Sequence, residues 1–324
     1  MKTLFTIILT LFILNSYSQN YKLIDEKVKN YPKFNQIDEL VSYVNTNFNS
    51  DIEKVRAFYT WSAYNITYDL NTFNAIKPKT LGIVFDSARL NKSIENQKIK
   101  KTAEKVFKNR KALCLGFSYL FRELCLKSNI EVKIIKGITK TSANNIENPN
   151  YLKNHAWNAV KINNKWKLID VTFSSGYLNN TTGKWVKFFN DFYFFTNPKK
   201  FLTSHLPAQA EFQFIANPLS TEDFFSRPIY YRKYFESGLQ LSDSQSGLLQ
   251  IIGNSKKVSI SFKSKNYNGT IYYKFNNEST LKRLSLTKND MNNYIAYLKC
   301  KSKRSKFLSL YYKNEKILDF KIEG

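Results

Sequence analysis

Residues 110–117 read RKALCLGF, and this stretch decides the fold. After Cys114, apolar side chains such as Phe117 and Leu120 recur at the spacing of one helical face, which predicts a buried helix to about Lys127. Cys114 therefore stands where a loop becomes a helix. Unpaired amides and the helix dipole at such a start stabilise a thiolate, and the same amides can hold an oxyanion near the sulfur. On the cysteine alone, a buried structural role is the better interpretation.

A histidine changes that interpretation. The chain has only 2 His, so few Cys–His pairs can form. Strands over His155–Ile162 and 165–171, joined by the turn pair at Asn163 and Asn164, are predicted to form a hairpin. At the start of the first strand, His155 can project toward the helix start. There it would take the thiol proton and later protonate the leaving group.

An aspartate completes the predicted constellation. Asp170 lies on the returning strand, and the turn places it opposite about Ala156 or Trp157, next to His155. Its carboxylate can then accept a hydrogen bond from the imidazole and fix the tautomer. An aspartate at a strand end is otherwise usually a solvated turn residue, but the coincidence of three residues favours a Cys-His-Asp triad. The other histidine, His205, lacks such a context and is interpreted as structural or surface.

Three ordered motifs carry a resemblance to a known family. They are the cysteine stretch, HAWNAV at 155–160 and WKLIDVT at 166–172, with support from residues 58–69 and 193–198. Over roughly residues 50–207 the chain resembles the transglutaminase-like superfamily, nearest to its kyphoscoliosis-peptidase-like branch. The resemblance implies an α+β fold, in which a papain-like or transglutaminase-like cysteine-enzyme core has helices packed on an antiparallel sheet. An all-β sandwich domain is expected to follow this core.

The resemblance also implies an activity. In that family the cysteine is the nucleophile, the histidine the general base and the aspartate its orienting partner, which implies these roles for Cys114, His155 and Asp170. The expected reaction is acyl transfer at peptide or glutamine carboxamide bonds, with hydrolysis favoured because the branch is peptidase-like. Leu115 stands where this branch often has an acidic residue, and Phe117 where it often has Tyr. No side-chain oxyanion donor upstream of the cysteine is matched.

The length of 324 residues indicates about two domains. Residues 1–19 are predicted to be a signal peptide, with Lys2 before an apolar run of about 11 residues and a small, polar exit. A short membrane anchor or buried helix is the alternative. The run is shorter than the ~20 residues of a spanning helix, so no transmembrane segment is expected after its removal. The mature protein is expected to be secreted or periplasmic, with a catalytic domain over 20–207 and a β-sandwich over 208–324.

Other elements follow from periodicity. One amphipathic helix is predicted across 21–49, a capping box at 50–53 opens the next, and 70–92 is predicted to be an irregular linker. From about residue 221 the helical signals fade. Short alternating runs with Asn-rich turns then predict a sandwich of about seven strands.

The net charge of +25 is spread through both halves of the chain. Such a surface favours polyanions, so anionic cell-surface glycans are candidate partners beside a protein or peptide substrate. No specific nucleic acid is expected, because no helix-turn-helix, RRM or zinc pattern occurs. With 3 Cys and 2 His and no Cys pair at ligand spacing, neither a metal nor a cofactor is expected. The alternative hypothesis is a catalytically silent exported binding protein, whose basic surface docks acidic glycans or a partner protein.

Overall fold

A computed structural model describes residues 20–75, 92–149, 153–179, 181–252, 256–264, 269–288, 294–300 and 305–323. The described residues form two compact units, one within Met1–Lys136 and Asn154–Asn197, the other within Gly137–Lys153 and Pro198–Gly324. The predicted signal peptide lies outside the described residues, as do residues 76–91 of the predicted linker. The domain boundary predicted after residue 207 stays a prediction. No helix in the described ranges combines the length and the apolar character needed to cross a membrane.

Helices form one side of the first unit. They are α1 (Asn20–Lys29), α2 (Ile37–Asn47), α3 (Asp51–Asn65), α4 (Leu70–Ala75), α5 (Lys92–Asn109), α6 (Cys114–Lys127) and α7 (Val171–Ser174). Their apolar faces meet in one core, where Leu40 of α2, Phe58 of α3 and Leu120 of α6 are completely buried. Each such side chain stabilises the fold by about 1.5–3 kcal/mol relative to an exposed one.

The N-terminal helices confirm one prediction and correct another. The capping box is present: Ser50 accepts a hydrogen bond from the Glu53 amide, and the Glu53 carboxylate accepts one from the Ser50 amide at 3.1 Å. The single helix predicted across 21–49 is wrong, because α1 ends at Lys29 and α2 begins at Ile37. Pro32 lies between them, and proline both lacks an amide hydrogen and disfavours helical geometry in the residue before it.

Short strands complete the first unit. They are β1 (Thr67–Tyr68), β2 (Lys111–Ala112), β3 (Val132–Thr139), β4 (His155–Ile162), β5 (Lys165–Ile169), β6 (Gly176–Asn179), β7 (Lys184–Lys187) and β8 (Phe194–Thr196). Strands β8, β5, β4 and β3 are neighbours in that order in one sheet. β1 pairs in parallel with β2, and β6 pairs with β7 as a separate hairpin.

The β4–β5 hairpin has the predicted register but ends earlier than predicted. Asn158 pairs with Ile169, and the turn residues Asn163 and Asn164 both have positive φ, at 48° and 60°. The prediction that Asp170 lies within the strand is wrong: β5 ends at Ile169, and Asp170 is the N-cap of α7. Its side chain accepts a hydrogen bond from the Phe173 amide at 3.0 Å, the geometry that aspartate favours at a helix start.

The second unit contains two sheets around its own core. Its helices are α8 (Pro198–Phe201), α9 (Thr221–Ser226) and α10 (Tyr234–Ser237), and its strands are β9 (His205–Pro207), β10 (Ile229–Tyr230), β11 (Gln240–Leu241), β12 (Leu248–Gln250), β13 (Lys257–Ser264), β14 (Ile271–Phe275), β15 (Lys282–Arg283), β16 (Thr287–Lys288), β17 (Tyr294–Lys299), β18 (Phe307–Tyr312) and β19 (Glu315–Glu323). β9 pairs with the end of β3, at residues 137–139.

One sheet has the order β10-β19-β18-β14-β15, with β12 beside β19, and the other has the order β11-β13-β17-β16. Side chains from both, including Ile260 and Phe320, share the core. The predicted α+β class with a strand-rich C-terminal part is confirmed. Two details were wrong: α9 and α10 follow residue 221, and the described strands outnumber seven because four two-residue strands gave no alternating signal.

Candidate active site

Cys114 is the first residue of α6, as predicted. Leu113, the N-cap, has an extended backbone, and its carbonyl accepts a hydrogen bond from the Phe117 amide at 3.0 Å. The side chain of Cys114 packs against Ala156 of β4, with Leu115 at the edge, and Cys114 is 5% exposed. All three cysteines are free, so no disulfide competes for this sulfur.

Gly116 fixes how closely α6 approaches the residues before it. A Cβ on Gly116 would lie 2.9 Å from the Cβ of Ala112 and 3.0 Å from Val106. Real side chains do not tolerate the shorter contact, so a larger residue would push the helix start away from β2. The glycine therefore belongs to the packing that holds Cys114 in position.

His155 and Asp170 form a buried pair. His155 begins β4, and its Nε2 lies 2.6 Å from Oδ2 of Asp170. Asp170 is completely buried and His155 is 5% exposed. The ring of His155 also stacks near Trp157, with centroids 5.9 Å apart, and lies 4.8 Å from the ring of Phe173. Hydrogen bonding and ring contacts together fix the orientation of the imidazole.

Cys114 contributes to the electrostatics of this pair. Burial lowers the pKa of His155, but the charge of Asp170, its hydrogen bond to the ring, and the hydrogen bond and charge of Cys114 together raise that pKa to about 10. Because Nε2 of His155 bonds Asp170, an interaction of the ring with Cys114 would use the other ring nitrogen, Nδ1. The imidazole is therefore a cation at neutral pH, placed between a carboxylate and a sulfur.

A second layer of hydrogen bonds holds Asp170. Its amide donates to the carbonyl of Tyr193 at 3.1 Å, and its own carbonyl accepts from the Ser174 hydroxyl at 2.5 Å. The hydroxyl of Tyr59, on α3, lies 2.5 Å from Ser174 Oγ and 2.9 Å from the carbonyl oxygen of Asn190. These contacts join α3 to α7. Because Asp170 is the N-cap of α7, the packing of α3 helps to orient its carboxylate.

Asn158 similarly fixes β4. Its buried side chain donates to the carbonyl oxygens of Ser118, on α6, at 3.1 Å and Lys133, on β3, at 3.3 Å. The strand that carries His155 is thereby tied to the helix that carries Cys114. Sequence reasoning quoted Asn158 only as part of a motif and assigned it no role, because its partners are distant in the chain.

Comparison with known proteins identifies the domain that contains these residues. The sequence profile of the family described as the transglutaminase-like superfamily matches residues 38–171, which include Cys114, His155 and Asp170. The chain carries a transglutaminase-like domain. The resemblance stated from the sequence motifs is therefore confirmed.

Full-length relatives of this domain are larger. Kyphoscoliosis peptidase of Mus musculus is 25% identical over 257 residues, which cover 79% of this chain and 35% of the relative. Cytokinesis protein 3 of Schizosaccharomyces pombe is 22% identical over 241 residues, 73% of this chain and 25% of the relative. The chain thus spans about a third or less of their lengths. A solved structure titled "Crystal structure of a TGase" is 19% identical, with a TM-score of 0.29, and the match covers 59% of this chain and 42% of that chain.

His205 lies in the second unit and is completely buried. Its Nδ1 is 2.8 Å from Ser204 Oγ, and its ring centroid is 4.3 Å from that of Phe201. These contacts are those of a packed core residue, which agrees with one of the two roles expected for it. Cys125 is buried in α6, and burial raises its pKa well above the ordinary value of a thiol.

Proposed function

We propose that the chain is a cysteine enzyme that transfers acyl groups from peptide or glutamine carboxamide bonds, with Cys114 as nucleophile. One observation carries the proposal: the His155 ring bonds Asp170 through Nε2, and Cys114 is near enough to help raise the pKa of the same ring. A single imidazole thus joins a carboxylate to a thiol, as nucleophilic cysteine catalysis requires. Asp170 has the role of orienting the ring, and His155 that of moving the proton.

The first half of the reaction forms a thioester. Transfer of the thiol proton to His155 gives the thiolate–imidazolium pair of the resting site, and the thiolate attacks the carbonyl carbon of the substrate. A sulfur–carbon bond forms and the carbonyl oxygen takes up the negative charge. When this species collapses, the carbon–nitrogen bond breaks and His155 gives its proton to the departing nitrogen. The buried aspartate keeps the imidazolium stable while it holds that proton.

The second half regenerates the enzyme. A water molecule gives a proton to His155 while its oxygen attacks the thioester carbon, the sulfur–carbon bond breaks, and a carboxylic acid leaves. This outcome is proteolysis or deamidation, whereas attack by an amine would give a cross-linked product. We favour hydrolysis because the relatives include proteins named peptidases.

Mass spectrometry of the peptide that contains Cys114 tests the proposal. After incubation with a peptide or carboxamide acyl donor, the wild type should carry a thioester adduct on Cys114. Cys114→Ala should carry none, and His155→Ala should form it more slowly by about 10²-fold or more. Cys125→Ala is the matched control, since that buried thiol lies outside the site and its loss should leave labelling unchanged. Absence of an adduct on wild-type Cys114, or its formation in His155→Ala at the wild-type rate, would reject the proposal.

The burial of Cys114 favours one alternative, a catalytically silent binding protein. A sulfur on a residue only 5% exposed reaches a substrate only where the path to it is open. In this case the basic surface would dock acidic glycans or a partner protein. Resistance of Cys114 to iodoacetamide at neutral pH, together with salt-sensitive binding to a sulfated glycan, would support the alternative.

Export is a further part of the proposal. It is supported by the charged, then apolar, then polar order of residues 1–19. We expect a chain that begins near Gln19 or Asn20 outside the cytoplasm of the expressing cell. N-terminal sequencing after fractionation tests this, and an intact chain confined to the cytosolic fraction would contradict it.

A further inference from the structure

One face of the β11-β13-β17-β16 sheet is turned away from the core of the second unit. Along β13 and β17, alternate side chains such as Val258, Ile260 and Leu298 are buried in that core. The residues between them lie on the opposite side, because successive side chains of a strand point to opposite faces. We call this side the outer face, and its rows are Lys257 opposite Lys299, Ser259 opposite Tyr297, and Ser261 opposite Ile295.

The first row of the outer face brings two positive charges together. Lys257 is directly opposite Lys299, and both residues are exposed. The backbone bond next to them, from the Cys300 amide to the Lys256 carbonyl at 2.7 Å, makes them a non-hydrogen-bonded pair. Side chains lie closer together in such pairs than in hydrogen-bonded ones. Like charges in this position are destabilising, although water and salt keep the cost small at an exposed site.

Neither of these two lysines forms an ion pair within the described part of the chain. Other lysines of the second unit each pair with an aspartate or a glutamate, namely Lys233, Lys263, Lys282 and Lys316. Strand β13 therefore carries one lysine that is matched by an acid, Lys263 with Asp243, and one that is not. An anion from outside the chain would supply the missing charge.

An exposed aromatic ring lies in the next row. Tyr297 is two residues from Lys299 on β17, about 6.8 Å along the strand, and it is 56% exposed. Ser259, opposite Tyr297, adds a hydroxyl, and Ser261 adds another in the row beyond. A tyrosine on a sheet face offers both a rigid apolar surface and a polar group at its tip. The outer face thus combines a cationic pair, an aromatic platform and hydroxyl groups in successive rows.

We propose that the outer face binds an acidic polysaccharide in which charged and uncharged sugars alternate. A carboxylate or sulfate group of one sugar would lie between the ammonium groups of Lys257 and Lys299, as a charge-assisted contact. The neighbouring uncharged sugar would place the C–H groups of its ring on Tyr297 and its hydroxyls near Ser259. This inference does not depend on the proposed function, because the outer face belongs to the second unit and Cys114 to the first.

The order of charges favours a polysaccharide over a nucleic acid. A nucleic acid carries a phosphate on every nucleotide, and a single strand is held by a positively charged groove with successive aromatic side chains. On the outer face the cationic pair is followed by uncharged rows. The next charges on β13 are those of the Lys263–Asp243 ion pair, in which the aspartate side chain is 88% exposed. A polymer with a charge on alternate units fits this order, since its uncharged unit would lie on Tyr297.

Binding of a fluorescein-labelled hyaluronan oligosaccharide to the full chain, measured by fluorescence anisotropy at physiological ionic strength, tests the proposal. Hyaluronan alternates a uronate with an uncharged sugar. Lys257→Gln/Lys299→Gln should weaken binding by about tenfold, because two charge contacts are lost. Tyr297→Ala should weaken it several-fold without any change of charge, whereas Tyr297→Phe keeps the ring and should bind nearly as tightly as the wild type.

Lys263→Gln/Lys316→Gln is the matched control. It removes the same number of positive charges from the second unit, at lysines that are already paired with Asp243 and Asp319. Its affinity should stay close to that of the wild type. Cys114→Ala should also bind as the wild type does, whatever its effect on acyl transfer.

Several results would overturn the inference. The wild type might be shown not to bind the oligosaccharide, or Tyr297→Ala might retain full affinity. An equal loss of affinity in the control variant would mean that the net charge of the chain attracts the glycan. Equally tight binding of oligothymidylate or of phosphatidylglycerol vesicles, with the same dependence on Lys257 and Lys299, would mean that the outer face selects no sugar.

Discussion

Each unit of the molecule contains a buried basic side chain, and the pKa values of these two side chains are shifted in opposite directions. In the first, His155 faces the Asp170 carboxylate, and its pKa is raised to about 10. In the second, Lys140 follows β3 and its Nζ donates to the carbonyl oxygens of Phe224 and Arg227, both at 2.6 Å, at the end of α9. Burial and Arg227 lower the pKa of Lys140 from 10.5 to about 7, against the weaker opposite effect of Glu147.

The difference shows what a carboxylate contributes at a buried site. Removal from water disfavours both cations. Carbonyl oxygens satisfy the hydrogen bonds of Lys140 but bring only partial negative charge, so the ammonium is left partly uncompensated. Asp170 brings a full charge and more than compensates for the burial of His155. The proposed proton transfer with Cys114 needs a stable imidazolium, whereas the hydrogen bonds of Lys140 connect the end of β3 with α9.

The largest expected effect comes from removing that charge. Asp170→Asn keeps the size of the side chain but allows its amide to donate, which favours the wrong tautomer of His155. We expect acyl transfer to fall by on the order of 10³–10⁴-fold. Alkylation of Cys114 by iodoacetamide at pH 7 should also slow, because the imidazolium that accompanies the thiolate is lost. Kinetics with the acyl probe and peptide-resolved mass spectrometry measure the two effects.

Asp38→Asn is the control for this substitution. Asp38 pairs with Lys127, but its side chain is 70% exposed, and exposed ion pairs contribute little. Its loss should leave both rates unchanged. If Asp170→Asn retained the wild-type alkylation rate and pH profile, the charge of Asp170 would not be what stabilises the His155 imidazolium.

Lys140 should give the second unit a stability that increases with pH. Below pH 7 the lysine is protonated in both the folded and the unfolded chain, and its burial penalty is fully present. Between pH 7 and 10.5 the unfolded chain binds more protons, so the free energy of unfolding rises with pH. Relative to Lys140→Met, the wild type should therefore gain stability across this range, on the order of 5 kcal/mol at most. Denaturant unfolding at several pH values measures it.

The exposed Lys257 supplies the matched substitution, and Lys257→Met should show no such dependence. A pH-independent difference for Lys140→Met would contradict the prediction, since the ammonium would then be as stable inside as outside.

His155 should give the opposite slope. Its folded pKa of about 10 lies above the ordinary 6.5, so its stabilisation is complete below pH 6.5 and is lost as the pH rises through 10. The stability difference between wild type and His155→Gln should therefore shrink over the interval in which that of Lys140→Met grows. Repeating the measurement in the Cys114→Ala background separates the effect of Cys114 on the pKa of His155 from that of Asp170. If the two stability differences changed with pH in the same direction, the opposite pKa shifts of His155 and Lys140 would be contradicted.

Local signals predicted much of the first unit. The start of α6 at Cys114, the Ser50 capping box and the turn at Asn163 and Asn164 each depend on residues close in sequence, and each was correct. Asp170 shows where local reasoning was incomplete. Aspartate is a preferred helix N-cap, but the predicted strand extended two residues beyond Ile169, across Asp170. The error left Asp170 opposite the right neighbours, because the register was already set by the turn.

Long-range packing could not be predicted in this way. Tyr59 and Ser174 are 115 residues apart, and Tyr68 meets Trp185 only because β1 and the β6–β7 hairpin fold to the same place. Neither contact leaves a periodic or compositional trace. Lys140 likewise gave no signal, since a lysine after a strand is ordinarily a solvated residue. Such contacts are fixed by the tertiary fold, and they include the residues that position the candidate site.

The smallest expected effect concerns the support of Asp170. Tyr59→Phe keeps the buried ring, which packs against Phe189 and Phe194, and removes only the hydroxyl. The carbonyl of Asn190 and the hydroxyl of Ser174 then lose a partner, which should lower the free energy of unfolding by about 1–2 kcal/mol. Because Ser174 also bonds the Asp170 carbonyl, α7 should loosen and acyl transfer should fall several-fold, far less than in Asp170→Asn.

Tyr43→Phe isolates this contribution, because that hydroxyl is on a side chain 40% exposed and its removal should change neither quantity. The pH profile separates positioning from simple destabilisation. If Tyr59 acts by orienting the carboxylate, Tyr59→Phe should shift the pH dependence of Cys114 alkylation toward that of Asp170→Asn, even at a temperature where both variants are fully folded. An unshifted pH profile with reduced stability would mean that the Tyr59 hydroxyl stabilises only the packing of α3 against α7. The charge of Asp170 would then hold the imidazolium without help from α3.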